Sequence, residues 1–309
     1  MVIRGFCSTV THWRQRRYVR SRHTWHCRRA AVIVVLASLA LARSLAAAGP
    51  ADATNSRAAR LDAVRSIPFD KLDAGMTAKV RSIVSRPSIY RRMPLRVINC
   101  DPNMYLFLVR HPEVVVNIWK VMGISKVELT RTGPDSFRAT DGAGTVGMLQ
   151  YCFSDHDTHL IYAEDTYQGP MVSRPIRAQC VLVLKSGYMQ ETDSKYYVTN
   201  RLDAFIQIQH AGAELLAKTF QPLVAKSADY NFSETAAFLS NVSRTAERNP
   251  PGVARLANRL KDLEPDVRAR FAELALEVGE RAQEQQEAQI ASRSEVATPK
   301  PESKRRTQR

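Results

Sequence analysis

Cysteine is scarce and poorly placed for cross-linking. Of 5 cysteines in 309 residues, Cys7 and Cys27 lie in a basic leader, which leaves Cys100, Cys152 and Cys180. An odd number without CxxC spacing is no disulfide framework; at most one bridge can form, and a chain of this size builds a core without one. Phosphate-binding loops are missing too: Asp141-Gly142-Ala143-Gly144 lies between strand-like segments and opens no helix, so it reads as a turn. No serine elbow and no cysteine–histidine constellation stands out. Nor is there a long hydrophobic run, since the longest, Ala30 to Ala42, falls short of the roughly 20 residues of a membrane span.

That short run has the layout of an export signal. Arg28-Arg29 introduce it and small residues follow it, Ala46-Ala47-Ala48 and then Ala51-Asp52-Ala53. Residues 1–53 are therefore expected to be a signal peptide cleaved near Ala48 or Ala53. The alternative is an anchor retained through residues 30–48, with Arg43 snorkelling at its far end. The expected location is periplasmic, secreted or otherwise outside the cytoplasm, or on a membrane.

The formal charge of +15 suggests nucleic acid until it is located. Residues 1–53 carry +8 and residues 291–309 carry +4, so +3 remains for residues 54–290. A nearly neutral folded part excludes the basic-patch argument for a nucleic-acid partner. The tail at 291–309, with Lys304-Arg305-Arg306 beside Pro299 and Pro301, reads as solvated and disordered, or as a contact with an anionic membrane surface.

Between these ends the periodicity predicts an α+β fold. Residues 54–89 form a polar lead-in with one helix around Met76 to Val84. A strand at Leu95–Asn99 follows, then two short helices, one from Pro102 capped by Asp101 and a second from Pro112. Six strands come next, at Ile124–Arg131, Ser136–Thr140, Thr145–Phe153, Leu160–Tyr167, Ile176–Tyr188 and Tyr196–Ile208. In the fifth, Ile176, Ala178, Cys180, Leu182 and Leu184 share one side, as expected for a sheet with one covered and one wetter face. A helix runs from Ala211 through Leu215 and Phe220 with a kink at Pro222, and a separate one is capped by Ser233. The Asn249-Pro250-Pro251-Gly252 break precedes two further helices with apolar stripes, a helical appendage over 231–290 that offers a protein partner a surface and frays from Glu280.

Strand, two helices, six strands, helix: over residues 90–230 this order resembles the START-like or Bet v 1-like (SRPBCC) helix-grip family, in which a curved antiparallel sheet wraps a long C-terminal helix. The resemblance implies an apolar small molecule or lipid held between sheet and helix, without a cofactor. It would place Trp119, Met148, Tyr151, Tyr162, Leu182, Phe205, Leu215 and Phe220 on the cavity wall. It also puts one strand between Cys152 and Cys180, so that these thiols stay free.

Three other functions compete with a ligand cavity. An aromatase- or cyclase-like enzyme on this fold would use a strand carboxylate, Glu164 or Asp203; alternation sends either Glu164 or Asp165 inward, but not both. An envelope interaction protein would use the C-terminal helices. A metal would use His156 and His159 in Asp155-His156-Asp157-Thr158-His159, although such residues are common in a solvated turn. Asn231-Phe232-Ser233 and Asn241-Val242-Ser243 match the glycosylation sequon.

Overall fold

The structure is a computed structural model that describes residues 52–169, 172, 174–191, 195–209 and 213–297, with the side chains of 213–224 and 292–297 left out. The leader with its apolar run, His210 and the basic tail lie outside the described residues. Among the described residues no helix is long and apolar enough to cross a membrane.

The chain is α+β and helix-grip-like. Helices α1 (Arg57–Arg65) and α2 (Ala74–Ser85) come first, followed by strands β1 (Ile89–Arg92) and β2 (Arg96–Asn99). Helices α3 (Pro102–Arg110) and α4 (Pro112–Val121) lead into β3 (Glu128–Gly133), β4 (Ser136–Thr140), β5 (Thr145–Ser154), β6 (Thr158–Tyr167), β7 (Ile176–Gln190) and β8 (Tyr196–Gln209). Helices α5 (Ala213–Arg248), α6 (Pro250–Ala257) and α7 (Pro265–Ala297) complete it. The sheet is antiparallel throughout, in the order β1-β8-β7-β6-β5-β4-β3, with β2 also on β8. Cys152 and Cys180 are separated by β6, and Cys100, Cys152 and Cys180 are free thiols.

Local chemistry accounts for the helix starts. Asp101 accepts from the Asn103 and Met104 amides at 2.9 and 3.0 Å, with Pro102 at the first helical position where its missing N–H costs nothing. Ser56 and Asp73 cap α1 and α2 in the same way.

Four expectations are corrected. The lead-in holds two helices: α1 is weakly amphipathic and buries only the small residues Ala59 and Ala63, so its sequence carries little helical stripe. The expected strand at Leu95–Asn99 is present as β2, and an unexpected β1 precedes it, with its two arginines both paired, Arg91 with Asp229 and Arg92 with Asp203. Helix α5 is continuous, with no start at Ser233, whose hydroxyl instead donates to the Asp229 carbonyl one turn back at 2.7 Å. That hydroxyl also accepts from Arg96 at 2.9 and 2.7 Å, so tertiary contacts hold helical a stretch whose propensity is weak. Finally, Asn249 caps α6 immediately, and α7 runs through the region expected to fray, to Ala297.

The C-terminal helices share a core with the sheet domain. Phe271 of α7 is fully buried and stacks on Phe107 of α3 at 5.9 Å, and Leu274 and Val278 continue the same cluster. The expected appendage therefore packs as an integral layer.

Both faces of the sheet are covered, which corrects the expectation of one wet face. Val181 and Val183 of β7, Tyr162 of β6 and Phe205 of β8 are buried beneath Val80 and Ile83 of α2. On the opposite face Ala228 and Phe232 of α5 pack against Leu182, Leu202 and Ala204.

Candidate functional site: the sheet face opposite α5

Register defines the α5 face row by row, because residues directly opposite in antiparallel strands share a side. One row runs Phe137, Leu149, Ala163, Cys180, Ile206 across β4 to β8. The next is Tyr151, Ile161, Leu182, Ala204, and on the other flank lies Ala139, Gly147, Asp165, Ala178, Ile208. Leu149, Ile161, Cys180, Leu182, Ile206 and Ile208 are only partly buried. Across the sheet, by contrast, Val181, Val183 and Phe205 are wholly buried. Under α2 the packing is complete at the centre of the sheet, while Val146 and Met148 on the β5 end of that same face are exposed. β8 ends beside this flank and α5 begins four residues later.

The polar member of this surface is Asp165. Its Oδ1 is closed off from solvent and has no hydrogen-bond partner among the described residues. Burial, with the Asp141 carboxylate adding to it, holds its pKa above the ordinary range. Gly147, directly across on β5, leaves room for it: a methyl there would stand 2.1 Å from Oδ1. Burial first, then Asp165, push the Cys180 thiol up to about 12, so it stays protonated and is no nucleophile at neutral pH.

The structure also places the other sequence candidates. Glu164 lies on the α2 face of the sheet, 3.9 Å from Lys79 of α2. It is an ordinary exposed carboxylate, hydrogen-bonded by the Tyr162 hydroxyl and by Gln179 Nε2 at 3.4 Å, with a lowered pKa for the first of these reasons. Asp203 is on the same side as Glu164, fully buried, and accepts from Tyr90 Oη at 2.6 Å and from Arg92 Nε and Nη2 at 2.8 and 3.1 Å. Arg92 reaches on to Asp62 at 2.8 Å and the Ala59 carbonyl at 3.3 Å, so this network clamps α1 to the sheet and leaves Asp203 no open lone pair for chemistry.

The expected cavity wall is divided. Tyr151 and Leu182 lie on the α5 face. Met148 is on the opposite face and exposed, and Tyr162 and Phe205 are on that face beneath α2. Trp119 packs on Phe238 of α5, with ring centroids 5.5 Å apart. The Leu215 and Phe220 side chains lie outside the described residues. The expected wall mixed residues of both faces, and nothing in the sequence showed which face the long helix would cover.

The two histidines do not converge on one site. His156 is exposed in the β5–β6 turn, 2.6 Å from Asp157 and 4.2 Å from the Tyr188 ring. His159 is buried on β6, with Nδ1 2.7 Å from Ser154 Oγ. Among the described residues no group of three metal-ligating side chains occurs. A second cleft, lined by Arg110, His111, Arg131, Asp135, Phe137, Tyr151 and Ser154, has a volume near 390 Å³. Its central cation is already engaged, because Arg131 Nε binds Glu113 at 2.9 Å and Nη2 the Arg110 carbonyl at 3.1 Å. These bonds join the α3–α4 corner to β3. Both sequons fall inside α5, and Ser243 is fully buried, its hydroxyl accepting from the Asp101 amide at 2.9 Å.

No family model and no curated protein matches the chain. Among solved structures, hypothetical protein jhp0584 from Helicobacter pylori is similar over 47% of this chain and 84% of its own, with 9% identity and a TM-score of 0.30. Mll3558 protein from Rhizobium loti is similar over 46% of this chain and 96% of its own, with 10% identity and a TM-score of 0.25.

Proposed function

We propose that this chain is an exported START-like protein that holds a hydrophobic small molecule or lipid between its sheet and α5. One observation carries the reading: the sheet's α5 face is apolar, and Leu149, Ile161, Leu182, Ile206 and Ile208 on it are only partly buried. Exposed apolar surface of this kind is costly in water, and an apolar ligand removes the cost by occupying it. The export half of the reading rests on the leader sequence, and the basic tail supplies contact with an anionic membrane surface. The enzymatic alternative draws no support from Glu164 and Asp203, since both lie on the α2 face of the sheet, across from α5.

The test uses the full chain expressed with its own leader. Organic extraction of the purified folded protein, followed by mass spectrometry, is expected to release an apolar molecule near one equivalent, and terminal sequencing a start after Ala48 or Ala53. Consistently empty preparations that also take up no apolar probe would remove the binding function. An unprocessed terminus in a membrane fraction would replace the cleaved form with the anchored one.

A further inference from the structure

We propose that the outer surface of α1 and α2 is a membrane-docking site, which lays its arginines on the phosphates of an anionic phospholipid bilayer and its exposed apolar side chains just beneath them. The site is separate from the α5 face. It sets the folded domain itself, and not only the basic tail, against the lipid.

Charge sets this pair of helices apart. Residues 57–86 carry seven basic and three acidic side chains, a net +4, although residues 54–290 together carry only +3. The remainder of the folded part is therefore slightly acidic. Two of the three acids are turned to other uses. Asp62 accepts from Arg92 at 2.8 Å and lies 3.5 Å from Arg201, and Asp73 caps α2 through the Met76 amide at 2.8 Å. Among the described residues the cations of this unit that form ion pairs are Arg65 with Asp62, Lys71 with Asp70 and Lys79 with Glu164. Arg57 and Arg60 of α1 and Arg81 and Arg86 of α2 are left without one.

Packing supplies the second argument. Helix α2 buries Met76, Val80, Ile83 and Val84, and α1 buries only Ala59 and Ala63. Between the two helices an open groove near 540 Å³ remains, where Leu61, Val64 and Phe69 lie beside Ala78, Arg60 and Arg81. Leu61 is 45% exposed, and the Arg81 guanidinium stands 4.2 Å from the centre of the Phe69 ring. Apolar side chains set between arginines fit an interface in which phosphates lie above acyl chains. A guanidinium grips a phosphate with two parallel hydrogen bonds, while its carbon stem stays in the apolar layer below. Nucleic acid would satisfy the arginines but leave Leu61 in water.

The experiment measures co-sedimentation of the full chain with vesicles containing about one third phosphatidylglycerol, against vesicles of pure phosphatidylcholine. Binding is expected to be much stronger to the anionic vesicles and to weaken in high salt. Arg60→Gln/Arg81→Gln should lower partitioning by about thirtyfold, roughly fivefold per arginine. Arg60→Lys/Arg81→Lys keeps the charge and should retain most of the binding, which a purely structural role for Arg81 on Phe69 would not allow. Far-UV circular dichroism of these variants should match the parent, since surface substitutions usually change stability little. Leu61→Trp puts a reporter at the apolar centre, and its emission should move to the blue on the anionic vesicles. No preference for the anionic vesicles overturns the proposal, and so does an unmoved Leu61→Trp emission with vesicles bound. If Arg60→Gln/Arg81→Gln partitions like the parent while Lys304→Gln/Arg305→Gln/Arg306→Gln does not, the tail is the contact and the helical site is overturned. A dimer that dissociates in Arg60→Gln/Arg81→Gln, with vesicle binding unchanged, also overturns it and makes the groove a contact between copies.

Discussion

Asp203 and Glu164 are both strand carboxylates, and burial gives them opposite fates. Asp203 joins Tyr90, Arg92 and, at 3.6 Å, Arg201 in a dry network. Removing one partner of a buried ion pair leaves the other uncompensated, so Asp203→Ala is expected to lower unfolding free energy by about 3–5 kcal/mol. Glu164→Gln should change it by less than about 0.5 kcal/mol, as exposed substitutions usually do. Urea denaturation of the two variants side by side checks both. His159 supplies a pH dependence. Burial first, then the Arg110 charge, push its pKa down from 6.5 to about 4. The unfolded chain therefore takes up a proton near pH 6.5 that the folded chain refuses until about pH 4. Stability from this group is whole above pH 6.5 and falls as the pH drops through that window, by a maximum on the order of 3 kcal/mol. Urea midpoints between pH 7 and pH 4 should fall less steeply in His159→Gln than in the parent; parallel curves would show the ring to be solvated.

At the scale of elements, α2 is the piece whose role the sequence concealed. Its residues Met76, Val80, Ile83 and Val84 gave a helical stripe, but the partner of that stripe, Val181 and Val183 on β7, looked like the wetter side of a strand flanked by Arg177, Gln179 and Lys185. Ile83 is 1% exposed. Ile83→Ala is expected to cost about 2–5 kcal/mol, and limited proteolysis should then cut between α1 and α2. If α2 were a loosely held lead-in, the substitution would be silent in both measurements. Helix α5 teaches the complementary lesson. The Asp229–Ser233 stretch is a local argument for a new helix start at Ser233, and it is overruled by ties to β1 and β2 through Arg91–Asp229 and Arg96–Ser233.

For the whole molecule, one core runs from the sheet through α3 and α4 to α6 and α7. Phe271→Ala should cost about 3–5 kcal/mol and lower a single cooperative transition seen equally by far-UV and near-UV circular dichroism. A separate early transition confined to helical signal would make α6 and α7 an independent unit.

The sequence by itself determined the strand count after α4 and the Asp101-Pro102 and Pro112 helix starts, because capping chemistry and two-residue alternation act over a few neighbours; the antiparallel order and the free state of Cys152 and Cys180 came from the family resemblance. Alternation also established that Glu164 and Asp165 must part company. Which of them faced α5 was decided only in three dimensions, where α2 and α5 took opposite sides of the sheet. The same assignment sent Tyr162 and Phe205 under α2 and made Asp203 a clamp. A strand's pattern is symmetric with respect to its two faces, and only the elements that land on each face, from far along the chain, distinguish them.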